Sequence, residues 1–146
     1  MSMEEHPDFY TQKGYQMRRQ EHLTGAMEDY LEMICRLAQS AGYVRTGDLA
    51  QQLDVRPPSA SKMVGHLRER GLVSFERYGL IRPTAAGWQI GRRLLRRHEV
   101  LLRFFQRVNG TEDELELVEQ VEHAIDERTV DNLEAWLGRM DDADQA

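Results

Sequence analysis

Residues 118–125 read VEQVEHAI, and three of them could do chemistry together. Glu119, Glu122 and His123 stand at i, i+3 and i+4, so a helix carrying them presents all three on one face. Two carboxylates and an imidazole at that spacing suit a divalent cation. An acidic helix with an incidental histidine is the plainer reading, and this stretch alone leaves both open. At ~100° per residue, Leu115, Val118, Val121 and Ile125 form a compact apolar stripe. The three polar residues flank that stripe at the border of the core, where carboxylates are partly desolvated. No Lys or Arg lies between Arg107 and Arg128 to neutralise them, whereas a divalent cation would.

His98 falls on an apolar seam made by Ile90, Leu94, Leu101 and Phe105. A buried histidine needs a partner: a backbone carbonyl, a carboxylate or a metal ion. Asp29 and Glu32 project away from the stripe of Met27, Tyr30, Leu31, Ile34 and Leu37, so periodicity reads them as a solvated face. Cys35 sits among Leu31, Ile34 and Leu37 and reads as a buried structural thiol; a single cysteine excludes an internal disulfide.

The elements that must position these residues are mostly helical. Thr24 precedes a first helix, which Gly42 breaks. Thr46 caps a short second helix, and Pro57 and Pro58 open a third that Gly71 ends. LVSFERYGLIRPT reads as two short strands around a tight RYG turn. Thr84 caps a long helix reaching about Val108, and residues 112–126 and 129–140 read as two more. The expected fold is mainly α: a winged helix-turn-helix with a small two-strand wing, then a helical dimerisation domain. The expected divisions are an N-terminal arm over 1–22, the winged helix-turn-helix over 23–84, a linking helix over 85–109 and a metal-binding and dimerisation domain over 110–146. Leu133, Trp136 and Leu137 form a stripe that asks for a partner, and a second copy of the chain is expected to supply it.

The net charge of −6 hides a segregation. Residues 56–107 carry 12 basic and three acidic side chains, whereas residues 111–146 carry two basic and 13 acidic ones. A basic middle suits a polyanion, and the acidic third would face away from it. The third helix offers Arg56, Ser59, Ser61, Lys62 and His66 to a DNA groove, and Arg77 and Tyr78 stand at the wing tip. An apolar content of 40% supports a modest core, and no run approaches the ~20 apolar residues of a membrane span. The first residues have no apolar core and do not read as a secretory signal, which fits a cytoplasmic protein.

The segments MEDYLEMI, PPSASKMVGHLRERGLV, RPTAAG, RRHEVLLRFF and VEQVEHAI, in this order and spacing, resemble the diphtheria toxin repressor family of metal-dependent transcriptional regulators. The resemblance runs from about Met27 to Met140 and implies six metal ligands: Asp29, Glu32, His98, Glu119, Glu122 and His123. Iron-sensing members have Met where Asp29 stands and Cys where Glu119 stands, and usually an SH3-like C-terminal domain; this chain resembles the manganese branch, and no such domain is expected. The resemblance implies a homodimer that binds a near-palindromic operator and represses manganese-uptake genes when loaded. It also implies about two Mn²⁺ per subunit, with Glu32 and Glu119 as candidate bridges. Oxygen-rich ligands with imidazole suit Mn²⁺, yet the affinity order lets Zn²⁺, Co²⁺, Cd²⁺ or Fe²⁺ substitute. An Fe(II)- or Zn(II)-responsive relative, a metal-independent winged-helix regulator and a metallohydrolase are the alternatives. The last would need a substrate cleft and a general base, and no nucleophile motif appears.

Overall fold

A computed structural model describes residues 23–146; the arm expected over residues 1–22 lies outside the described residues. Helix α1 (Gly25–Ala41) begins where Thr24 Oγ1 accepts from the Met27 amide at 3.2 Å, and ends at Gly42, whose φ of +82° lets its N–H reach the Ala38 carbonyl. Its apolar face buries Met27, Tyr30, Leu31, Ile34, Cys35 and Ala38. Removing a Leu or Ile side chain from water is worth roughly 1.5–3 kcal/mol, enough to fix the rotation of the helix. Strand β1 (Val44–Arg45) leads into α2 (Thr46–Leu53). Thr46 is not the cap expected of it. Arg45 occupies that position without a side-chain bond, and Thr46 Oγ1 instead donates to the Gly79 carbonyl at 3.3 Å, tying α2 to the wing.

Helix α3 (Pro57–Glu69) starts with its two prolines, where no N–H is needed, and turns Ala60, Val64 and Leu67 inward. Strands β2 (Val73–Glu76) and β3 (Leu80–Pro83) pair antiparallel, with Val73 opposite Pro83 and Glu76 opposite Leu80. At the turn Tyr78 adopts φ +68° and is 90% exposed. The wing has three strands rather than two, in the order β1-β3-β2, because Val44 and Arg45 pair with Ile81 and Leu80. Two residues are too few to show the alternation that marks a strand.

Helix α4 (Ala85–Asn109) is capped by Thr84 Oγ1, which accepts from the Gly87 amide at 3.1 Å, and ends at Gly110. It crosses α1 at very short range. A Cβ at Gly87 would strike the Leu72 carbonyl, and one at Gly91 would strike Cys35 Sγ. Cys35 is fully buried, and burial pushes its thiol up to about 12, so it is inert packing as expected.

The C-terminal part differs most from expectation. In place of helices over 112–126 and 129–140 stand α5 (Leu115–Val121), a 3₁₀ turn (Glu122–Ala124) and α6 (Glu127–Asp144). Asp126 accepts from the Thr129 amide at 2.8 Å and starts α6 two residues early. With the helix broken, the wheel no longer holds: Leu115 is 52% exposed, while Glu122, placed at the border, is 1% exposed.

Two cores result. One gathers α1, α2, α3, the sheet and Leu94; the other is Val100, Val130 and Leu137 with Phe104, Ile125, Leu133 and Trp136 against it. The stripe on α6 is therefore covered largely by α4 of the same chain, not left bare for a second copy. Helix α4 contributes to both cores, and His98 stands between Leu94 of one and Val100 of the other.

Candidate metal centre

All six residues expected as ligands meet at this junction. Ligand atoms of Glu32, His98, Glu119 and Glu122 lie within 4.8 Å of one another, and so do those of Asp29, Glu122 and His123. Glu122 is common to both groups. His98 Nδ1 is 3.0 Å from Glu122, 3.5 Å from Glu119 and 3.8 Å from Glu32. His123 Nε2 is 2.8 Å from Asp29 Oδ1, and its Nδ1 is 3.0 Å from Glu28 Oε1. Helix α1 supplies Asp29 and Glu32, α4 supplies His98, and α5 with its 3₁₀ turn supplies the other three. Glu32 is buried rather than on the solvated face that periodicity suggests, because α4 covers that side of α1.

The electrostatics of the group are unbalanced. Burial, then the charge of Glu122, pushes Glu32 up to about 7. Burial and Glu122 raise Glu119 as well. His98 is raised by its hydrogen bond to Glu122. His123 is pushed up to about 10 by Asp29 and then Glu28. Cations do reach the site from outside the 118–125 segment: Arg36, one turn along α1, lies 3.5 Å from Glu32, and Arg97 of α4 lies 3.4 Å from Glu28. They leave the cluster short of positive charge, and protons on the imidazoles and on Glu32 make up part of the deficit.

The residues fit a divalent cation. Asp29 Oδ1 is enclosed and accepts no hydrogen bond. His123 Nε2 stands 2.8 Å from it as an ion pair whose geometry falls short of a hydrogen bond. A lone pair with no donor, walled in by carboxylates and imidazoles, is what a cation would satisfy. Ligands about 2.0–2.2 Å from one ion stand at most about 4.4 Å apart, and the 4.8 Å within which these atoms lie is a few tenths of an ångström from that span.

The seven candidate DNA contacts, Arg56, Ser59, Ser61, Lys62, His66, Arg77 and Tyr78, are all exposed on α3 and the wing tip. The basic middle of the chain divides in two. Arg82, Arg93, Arg96, Arg97, Arg103 and Arg107 are paired with carboxylates of this chain. Among the described residues of this stretch, Arg56, Lys62, Arg68, Arg70, Arg77 and Arg92 make no ion pair; all but Arg92, which stacks on Trp88, lie on the winged helix, and Arg45 joins them there. Sequence reasoning missed Arg45, Arg68 and Arg70. It also missed Glu28 and Arg97 at the metal cluster, for which no periodicity gave a signal, and Arg36, which the i,i+4 spacing from Glu32 could have found.

Comparison with known proteins agrees with this geometry. The description "Iron dependent repressor, N-terminal DNA binding domain" matches residues 22–80, and "Iron dependent repressor, metal binding and dimerisation domain" matches residues 84–144. The HTH-type transcriptional regulator MntR of Shouchella clausii (strain KSM-K16) is 41% identical over 112 residues, covering 75% of this chain and 78% of the relative. The protein of the same name from Bacillus subtilis (strain 168) is 36% identical over 111 residues, 75% and 78% of the two chains. A manganese-dependent transcriptional repressor solved with manganese superimposes with a TM-score of 0.69 at 31% identity, over 77% of this chain and 52% of that one. The manganese regulator SloR gives 0.68 at 28% identity, over 77% and 53%. This chain thus spans about half the length of those two solved chains. The two matched domains and the curated relatives together place the chain in the iron dependent repressor family, the diphtheria toxin repressor family of metal-dependent transcriptional regulators.

Proposed function

We propose that this protein is a Mn²⁺-responsive repressor of metal-uptake genes, acting as a homodimer on a near-palindromic operator and loaded with two ions per subunit. One observation carries the reading: the converging donor set, half of it buried, consists of carboxylate oxygen and imidazole nitrogen, with no sulfur. Such a set suits Mn²⁺, while Zn²⁺, Co²⁺, Cd²⁺ or Fe²⁺ can occupy it. Glu32, His98, Glu119 and Glu122 would hold one ion, and Asp29, Glu122 and His123 the other. Glu122, common to both groups, would then be the bridge, whereas Glu32 and Glu119, the bridge candidates from the resemblance, each fall in one group only.

When bound, the ions supply the positive charge that lets this many carboxylates stay ionised side by side. The residues themselves do the coupling. Asp29 and Glu32 sit on the DNA-reading side, Glu119, Glu122 and His123 on the dimerisation side, and His98 on the linking helix over 85–109. Without the added charge the carboxylates repel, and the angle between the two parts loosens. A dimer must present its two α3 helices about 34–36 Å apart, or a multiple, so looseness lowers affinity. Arg56, Ser59, Ser61, Lys62 and His66 would face the major groove, with Arg77 and Tyr78 reaching phosphate or the minor groove. The protein is a regulator, not an enzyme, and works in the cytoplasm where its DNA is.

The test is equilibrium metal binding to the purified protein, followed by fluorescence anisotropy of operator DNA across a metal series. Mn²⁺ is expected to tighten DNA binding at metal levels where it binds the protein. Equal DNA affinity with and without metal would mean a metal-independent regulator. Strong activation by Fe²⁺ or Zn²⁺ but not Mn²⁺ would move the protein to another branch.

A further inference from the structure

We propose that Glu28 is a positioning residue that sets the orientation and tautomer of His123, leaving Nε2 bare toward Asp29 and Glu122. The inference rests on the two-cluster reading above and deepens it. Glu28 Oε1 stands 3.0 Å from His123 Nδ1, on the ring edge opposite the nitrogen that meets Asp29. Arg97 Nη2 competes for the same place, 3.5 Å from Nδ1 and 3.4 Å from Glu28 Oε1. The outcome decides whether His123 can ligate at all. A neutral imidazole carries one proton, and only its bare nitrogen binds a cation. Arginine only donates; were it the partner of Nδ1, the proton would sit on Nε2 and close that nitrogen to a metal. A carboxylate only accepts, so Glu28 keeps a proton on Nδ1; the ion would then displace only the proton that Asp29 holds at Nε2 in the metal-free protein. Glu28 is the closer of the two, and Arg97, only 11% exposed at its side chain, serves as its counter-ion.

The ring also has little room to turn. A Cβ at Gly25 would lie 3.3 Å from His123 Cδ2, so the start of α1 forms a flat wall against the imidazole. Glu28 and Asp29 are successive residues, ~100° apart around the helix, and address opposite nitrogens of one ring. One would contact the ion; the other would act only through His123.

Calorimetric titration of Mn²⁺ into the parent, His123→Ala, Glu28→Ala and Glu28→Gln tests this. Nitrogen NMR of histidine-labelled protein loaded with diamagnetic Zn²⁺ accompanies it, and circular dichroism checks the fold. His123→Ala should lose one of two binding steps. Glu28→Ala should weaken that same step about 10–100-fold and spare the other, as removal of an outer partner does. Glu28→Gln, whose amide oxygen still accepts but carries no charge, should fall between. The parent's His123 should show a proton on Nδ1 and metal at Nε2, and Glu28→Ala a mixture. If both Glu28 variants titrate like the parent while His123→Ala loses an ion, Glu28 is a spectator and the proposal is wrong. If His123→Ala also titrates like the parent, the two-cluster reading falls first and takes this one with it.

Discussion

On one side of α4, arginines meet the carboxylates of α6. Arg96 lies 2.8 Å from Asp131 and 3.1 Å from Glu134, Arg103 lies 3.3 Å from Asp141, and Arg107 lies 2.7 Å from Asp144. On another side, His98 faces Glu32, Glu119 and Glu122, two of them buried. In the first set, which is partly solvated, every carboxylate has an arginine within ion-pair distance, and each such bridge contributes about 0–1 kcal/mol. The second gathers more anions than the chain has cations to offer, out of water, where charge is costly. An acidic C-terminal third thus serves two ends. Where arginines are many it makes a seam; where only Arg36 and Arg97 reach it, it makes a demand for something from outside.

The contrast can be broken most severely at Glu122. Glu122→Gln keeps the shape and removes the charge both clusters share. We expect metal affinity at both to fall by more than about 100-fold, beyond what loss of an outer-shell partner costs. Persistence of one step at parent affinity would show that Glu122 is not shared. Glu119→Cys should be milder. A softer donor should cut activation of DNA binding by Mn²⁺ while Fe²⁺ or Co²⁺ keep more of theirs. The fold should survive, because the Glu119 side chain is 45% exposed. A variant that answers Mn²⁺ as the parent does would make Glu119 a surface residue.

Acidity sharpens the same contrast. Glu32 stands at about 7 against an ordinary 4.5, and His123 at about 10 against 6.5. Both folded values are raised, so the stability these groups lend the metal-free protein is full below the ordinary values. It is lost as pH rises through the raised ones. A cation must displace those protons, so its affinity should move the opposite way. It should rise between about pH 6 and about pH 8, by up to about tenfold per unit for each proton released. Melting curves with and without Mn²⁺ should therefore diverge as pH rises; parallel curves would contradict the proton count.

Smaller effects come from the exposed charges. Lys62→Ala should weaken operator binding modestly, lower the slope of log affinity against log salt by about 1, and leave metal binding alone. An unchanged slope would take Lys62 off the phosphates. Arg103→Ala removes one solvated bridge to Asp141 and should change stability by no more than about 1 kcal/mol by denaturant titration. A larger loss would mean the seam holds α6 in place.

Local signals were the legible ones. Thr24 and Thr84 cap, Pro57 opens and Gly42 and Gly110 close because each acts on its own backbone neighbours. Strand β1 was hidden because it exists only by pairing with β3. The 3₁₀ turn at Glu122–Ala124 was hidden because it answers a need to fold back on α4, which periodicity cannot express. For the site, spacing alone reached Glu119, Glu122 and His123, and a seam position suggested His98. Asp29 and Glu32 came from family resemblance, since their burial depends on α4, over fifty residues away. Arg97 and Glu28 meet only in three dimensions, 69 residues apart.

Where α1 crosses α4, Gly91 has no side chain and Cys35 Sγ fills the gap. Glu32 stands about one turn from that point along α1, and His98 two turns from it along α4, some 10.5 Å away. The opening between a carboxylate on one helix and an imidazole on the other is therefore set by two residues that touch neither, like the stop on a pair of callipers. One added methyl at Gly91 would part the jaws, and the radius of ion they grip would change with every ligand intact. On that geometry, packing would set part of the metal preference, and ranking the ions taken by Gly91→Ala against those taken by the parent would read that gauge directly; an unchanged order would show that the contact sets no such gap.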